Sequence, residues 1–128
     1  MTQEERGSSA EIIAIIDDRK LDYIFNRNIK PDPHNSSRAA QNAQQLQRIG
    51  IYDDPEGREI VKAHLDQAVI LPDNVSDRFS NSYGIDTENR ESLLAGPSGK
   101  FIKVQSSWEV MPDGSRRFMI FQPFGVQK

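Results

Sequence analysis

Phe101–Val110 constrains this chain most. Over these ten residues the side chains alternate: Ile102, Val104, Ser106, Trp108 and Val110 form one set, and Phe101, Lys103, Gln105, Ser107 and Glu109 the other. A period of two describes a strand with one face buried and one face open to solvent or to a ligand. Met111-Pro112-Asp113-Gly114-Ser115 follows, a hairpin signal of the Pro-Asp-Gly type, and Arg116–Phe121 returns antiparallel. A three-residue loop pairs Trp108 with Phe118 and Glu109 with Arg117. A four-residue loop shifts every partner by one and reverses the faces of the return strand. The shorter loop is preferred because it sets opposite charges across from each other.

Upstream of the hairpin the periodicity is helical. Ser8 followed by Glu11 reads as a capping box for a helix from about Ser9 to Arg19, and Lys20–Phe25 carries Leu21, Ile24 and Phe25 at helical spacing. Asn28–Asn35 is a loop by composition. Ser36 or Ser37 can cap a helix whose apolar residues are Ala39, Ala43, Leu46 and Ile49, and Gly50 ends it. Asp54-Pro55-Glu56 opens another helix, with Ile60, Val61, Leu65, Ala68 and Val69 as its buried stripe. The polar stretch 72–90 reads as a loop with one short strand around Ser80–Gly84. Glu91–Ala95 reads as a strand and Gly96–Gly99 as a turn. Helices first and an antiparallel meander second make an α+β domain. Its expected extent is 9–128, behind a flexible polar lead over residues 1–8.

Composition excludes several classes. With no cysteine there is no disulfide framework, no cysteine-bearing zinc finger and no thiol nucleophile. The longest apolar run, Ile12–Ile16, falls far short of the roughly 20 residues of a membrane-spanning helix. The first residues lack the basic-then-apolar layout of a signal peptide. A net charge of −3 argues against a conventional basic nucleic-acid binder, but the charge is segregated. Residues 19–48 hold six bases against two acids, and residues 91–128 hold five against three. A basic site on an acidic body is therefore allowed, because local potential steers an anionic ligand. For any single charge, a solvated face is the ordinary alternative.

Two histidines limit the catalytic options. His34 and Arg38 lie one turn apart near a helix start, where free N–H groups already favour phosphate. A histidine there can take the proton of a ribose 2′-hydroxyl while an arginine fork holds the adjacent phosphate. Polar surface is the competing reading of His34. His64, beside the apolar stripe of its helix, reads as an edge-of-core histidine, and the two histidines make no metal pair. Asp17-Asp18 and Asp53-Asp54 are helix caps or solvated ends. Gly96-Pro97-Ser98-Gly99-Lys100 lacks the spacing and the strand-to-helix setting of a phosphate loop.

Short motifs along residues 20–125 resemble a known family. They are Lys20-Leu21-Asp22-Tyr23, Asp32-Pro33-His34, Arg38-Ala39-Ala40, Leu46–Ile51, Leu94–Lys100, Val104–Val110, Pro112-Asp113-Gly114 and Pro123-Phe124-Gly125. The pattern is similar to the C-terminal toxin domains of contact-dependent growth inhibition (CdiA-type, filamentous-haemagglutinin-like) proteins. That resemblance implies a barnase/EndoU/colicin/RelE-like fold, with N-terminal helices packed on a twisted antiparallel sheet. It implies a ribonuclease that cleaves tRNA without a metal or other cofactor. A dedicated immunity protein neutralises each such toxin, and some require elongation factor Tu. It also implies the C-terminal part of a secreted or cell-surface effector, with no membrane-spanning segment, that acts in the cytoplasm of a target bacterium.

Carried over by motif, the family's histidine and following basic residue fall on His34 and Arg38, with Arg where Lys is common. The hydroxyl residues before the tryptophan fall on Ser106 and Ser107. Ile120 is a departure, since related sequences often have Thr three residues before the proline. The expected reaction is attack of the 2′-hydroxyl on its phosphate to give a 2′,3′-cyclic end. In it His34 is the base, Arg38 the phosphate clamp, and Ser106 or Ser107 a hydrogen-bond donor. Lys103 and Arg117 guide the RNA backbone, with Lys100 at the rim. The second proton-transfer group is unassigned. The alternative is a non-catalytic immunity or protein-binding module, in keeping with the acidic composition. A DNase of the same delivery class is a third reading, and the metal-binding His/Asp cluster it would normally show is not found in the sequence.

Overall fold

A computed structural model describes residues 12–27 and 33–127. Its elements are β1 (Ala14–Ile15), α1 (Asp18–Ile24), α2 (Pro33–Arg48), α3 (Pro55–Ala68), a 3₁₀ turn (Pro72–Asn74), β2 (Val75–Ser80), β3 (Asp86–Ala95), β4 (Phe101–Val110) and β5 (Arg116–Gln127). The strands form one sheet in the order β1-β5-β4-β3-β2. All neighbours are antiparallel except β1, which lies parallel to the start of β5, so the sheet is mixed. The class is α+β, with the helices between β1 and the four later strands along the chain and packed on one face of the sheet.

The hairpin reads as the alternation requires. Trp108 pairs with Phe118, Glu109 with Arg117 and Val110 with Arg116, and Met111 N donates to Ser115 O at 2.9 Å. Ile102, Val104, Ser106 and Trp108 are fully buried under the helices. Trp108 and Phe118 meet edge to face with ring centroids 5.2 Å apart, a geometry that adds to the area they bury. Around them pack Leu21 and Ile24 of α1, Leu46 of α2, Val61 and Leu65 of α3, and Leu94 of β3.

Three expectations are corrected. The capping box and the lead 1–8 lie outside the described residues, but residues 12–17 are not helical. Ile12, Ala14 and Ile16 pack against the core while Ile13 and Ile15 point outward, a period of two that suits β-branched side chains. Arg116 N donates to Ile13 O at 2.9 Å, and the helix begins only after Asp17, whose carboxylate caps Arg19 N at 2.8 Å. Second, α2 starts at Pro33 rather than at Ser36 or Ser37, because a proline at the first helical position gives up no hydrogen bond. Third, 72–90 is not a loop but holds β2 and half of β3. Their inward positions carry charge instead of apolar side chains, so the usual strand signal is missing. The C-terminal meander is antiparallel as expected, and β1 joins its edge in parallel.

Helix ends fix how the layers meet. The amide of Ile51 bonds to Leu46 O and that of Gly50 to Gln47 O, a Schellman motif that needs the left-handed φ of +87° at Gly50. Ile49 O then accepts from Ser98 N at 3.1 Å, docking the β3–β4 turn on the end of α2. Gly96 permits this approach, since a Cβ there would sit 2.0 Å from Ile49 O. In α3, Asp54 caps Gly57 N at 2.6 Å ahead of Pro55.

Candidate functional site

The sheet face away from the helices is built by β3, β4 and β5. Glu109 lies across from Arg117, and their side chains form an ion pair at 3.2 Å. Ser107 donates to Asn89 Oδ1 at 2.8 Å. Lys103 pairs with Glu91 at 3.2 Å, and its ammonium lies 5.9 Å from the centre of the Phe124 ring. Ile120 is the cross-strand partner of Ser107 and lies at the middle of this face. Leu93, Ile120 and Phe124 are exposed around the polar groups.

Lys103, Ser107 and Arg117 are therefore brought together on one surface. Ser106 is not among them. It is fully buried on the helix side, where its hydroxyl accepts the indole N–H of Trp108 at 2.9 Å. Lys100 is exposed at the β3–β4 turn, at the end of the strands. His34 and Arg38 occupy positions four apart in α2, on one face of that helix. Their side chains lie outside what the structure describes. Because α2 packs on the side of Trp108, the sheet stands between the body of that helix and Ser107.

The helix side holds a charge cluster that the sequence reading missed. Glu88 is buried in β3, and its Oε1 accepts from Arg90 Nε at 2.6 Å and from Arg116 Nε at 3.1 Å. Arg78 of β2 approaches the other oxygen at 3.6 Å. Burial pushes the Glu88 carboxyl up, but the hydrogen bonds from Arg116 and Arg90 more than offset it and leave the group below the ordinary range. Arg90 also donates to Ala68 O, Leu71 O and Asn74 Oδ1, so its charge meets the carbonyl end of α3. The readable signal was Glu88-x-Arg90, opposite charges two apart and hence on one face of a strand.

His64 of α3 lies 2.8 Å from Ser92 Oγ through Nε2, and burial pushes its pKa below the ordinary 6.5. Among the described residues no three His, Asp or Glu side chains are grouped to hold a metal ion. No described helix is long and apolar enough to cross a membrane.

No protein-family model matches the chain, and no curated protein does. Among solved structures, a chain of a "contact-dependent growth inhibition toxin - immunity protein complex" from Klebsiella pneumoniae 342 is 34% identical. The alignment covers 86% of this chain and 99% of that one, with a TM-score of 0.76.

Proposed function

Since the chain belongs to the contact-dependent growth inhibition toxins, we propose that it is a metal-independent ribonuclease acting on tRNA. Its α+β arrangement is of the barnase/RelE-like toxin type. The reading is carried by the 34% identity along nearly the whole length of a chain from a toxin–immunity complex. The 2′-hydroxyl attacks the adjacent phosphorus, the P–O5′ bond breaks, the leaving oxygen takes a proton from solvent, and the products are a 2′,3′-cyclic phosphate and a 5′-hydroxyl. In this reading His34 takes the 2′ proton and Arg38 holds a non-bridging oxygen. Lys103, Arg117 and Lys100 guide the RNA backbone, and Ser107 donates to it. Ser106 positions Trp108 rather than touching substrate. A dedicated immunity protein neutralises the toxin, which acts in the cytoplasm of the target cell.

A second reading is favoured by one placement: Glu109, Arg117 and Ser107 lie on the same open face, with the sheet between them and the body of α2. Glu109 then takes the proton in place of His34. Total tRNA incubated with the protein in EDTA, followed by end mapping, tests both. Cleavage to cyclic phosphate ends is expected; no cleavage, or dependence on added Mg²⁺, removes the ribonuclease reading. Full activity in His34→Ala together with loss in Glu109→Gln transfers the base to the open face. Expression of the chain alone should arrest growth, and the protein encoded by the neighbouring gene should relieve it. Protection of cells by the chain itself would make it the immunity module instead.

A further inference from the structure

β3 is ten residues long, but β2 covers only its first half. The β2–β3 register runs from Ser80 opposite Asp86 to Val75 opposite Arg90 and ends there. The direction of the remaining backbone groups follows from the β3–β4 turn. Gly96 N donates to Lys100 O at 3.0 Å, and the β3–β4 register continues from that pair without a shift. In an antiparallel ladder, residues that exchange bonds with the partner alternate with residues that do not. Leu94, Ser92, Arg90 and Glu88 therefore turn their N–H and C=O groups to β4. Ala95, Leu93 and Glu91 turn theirs outward. The β2–β3 turn agrees: Asn81 N donates to Ile85 O at 3.0 Å, which by the same count directs Thr87 and Asn89 at β2.

Leu93 and Ala95 thus present two N–H and two C=O groups at the sheet edge, and Glu91 adds its C=O, with no backbone partner among the described residues; the Val75–Arg90 pairing directs the Glu91 N–H at Asn74. Unpaired strand edges template association, and proteins usually blunt them with charge, proline or bulges. The opposite edge is blunted in this way: β1 covers Arg116 and Arg117, and beyond it β5 has two register shifts and Pro123. The β3 edge has no such device. Its one charge, Glu91, is paired with Lys103, and Leu93 is 58% exposed.

A row of outward N–H and C=O groups is matched by one chemistry, a second extended backbone. The charges on this flank favour a protein over RNA. Asp73 is exposed in the 3₁₀ turn that packs on β3, and Glu91 lies within the edge. They repel phosphate and suit a strand flanked by Lys or Arg. We propose that the Glu91–Ala95 edge receives a strand of the immunity protein, which extends the sheet past β3. The proposal rests on the toxin–immunity reading above. The added strand sets an apolar side chain against Leu93 on the open face. On the other face it sets a hydrogen-bonding side chain beside His64 and Ser92.

Amide hydrogen exchange of the full chain tests this, free and bound to the protein encoded by the neighbouring gene. In the free chain the amides of Leu93 and Ala95 should exchange quickly and those of Ser92 and Leu94 slowly. In the complex these two outward amides should slow by at least a hundredfold. Leu93→Pro, which removes an N–H that no ladder bond uses, should weaken the complex at least tenfold. Tight binding with unchanged exchange at the two amides overturns the edge proposal and leaves the toxin–immunity reading standing. Protection of the two amides in the free chain overturns it too, and protection that grows with concentration assigns the edge to a second copy. If the neighbouring protein does not bind, the toxin–immunity reading falls and takes this partner with it.

Discussion

The two faces of the sheet carry the same chemistry, glutamates paired with cations, under opposite conditions. On the helix side Glu88 is 2% exposed and holds Arg90 and Arg116. On the open side Glu109 holds Arg117, and Glu91 holds Lys103, at the solvent boundary. Buried ions have no water to fall back on, so removing one partner strands the others. Exposed pairs are exchanged for water at little cost. The first set can only be architecture. The second is free to be rearranged by an incoming phosphate or protein.

Breaking the buried cluster is the largest effect expected. Glu88→Ala leaves two guanidinium groups buried without their carboxylate and should cost about 3–5 kcal/mol, read as the loss of unfolding free energy in urea. The consequences reach beyond β3. Arg116 anchors the strand that carries β1, and Arg90 ties the end of α3 and the 3₁₀ turn to the sheet. Methionine at this position keeps the volume without the charge and should be almost as damaging. A loss below about 1 kcal/mol would show that the cluster behaves like the exposed pairs.

The same cluster explains why part of the fold was illegible. Phe101–Val110 and its hairpin could be read to the residue, because Trp108 and Val104 alternate with Lys103 and Glu109 and the Pro-Asp-Gly turn leaves few registers. The strands at 75–80 and 86–90 could not, because Glu88 and Arg90 occupy inward positions where an apolar residue is expected and pair with each other instead. At Ile12–Ile16 a continuous apolar run fits a helix or a strand equally, and only its pairing with Arg116 and Arg117 decides. At the candidate site, alternation and register placed Lys103, Ser107 and Arg117 on one face. They also placed Ser106 opposite, where motif matching alone had grouped it with Ser107. The relation of His34 and Arg38 to that face depends on how α2 crosses the sheet, which local periodicity does not encode.

A smaller effect separates the two kinds of buried polar group. Burial holds His64 below its ordinary 6.5, so the unfolded chain takes up a proton first as pH falls. The stability this neutral imidazole provides is complete above about pH 6.5 and is lost on the way down through its folded pKa. Glu88, also depressed, retains its contribution until the pH falls below the ordinary carboxylate value of 4.5. Urea midpoints measured at about pH 7.5, 6 and 5 should decline for the wild type. His64→Gln, which keeps a hydrogen-bonding group near Ser92, should flatten that decline and leave the steeper loss below pH 4.5 in place. An unchanged profile in the variant would mean that the decline comes from elsewhere.

The smallest effect on stability belongs to the open face and is the most informative about function. Glu109→Gln removes one partner of an exposed pair and should change the unfolding free energy by no more than about 0.5–1 kcal/mol. Its effect on RNA should be larger. Arg117, released from Glu109, becomes an unpaired cation on the face proposed to guide the backbone, so RNA should bind more tightly and with a steeper dependence on salt. Arg117→Ala should weaken binding and flatten that dependence. Cleavage then decides between the two proton acceptors: tighter binding with cleavage retained keeps His34 as the base, and tighter binding with cleavage lost assigns the base to Glu109. If neither substitution alters RNA binding, the paired cations of the open face serve only the sheet, and the contrast between the two faces is one of stability alone.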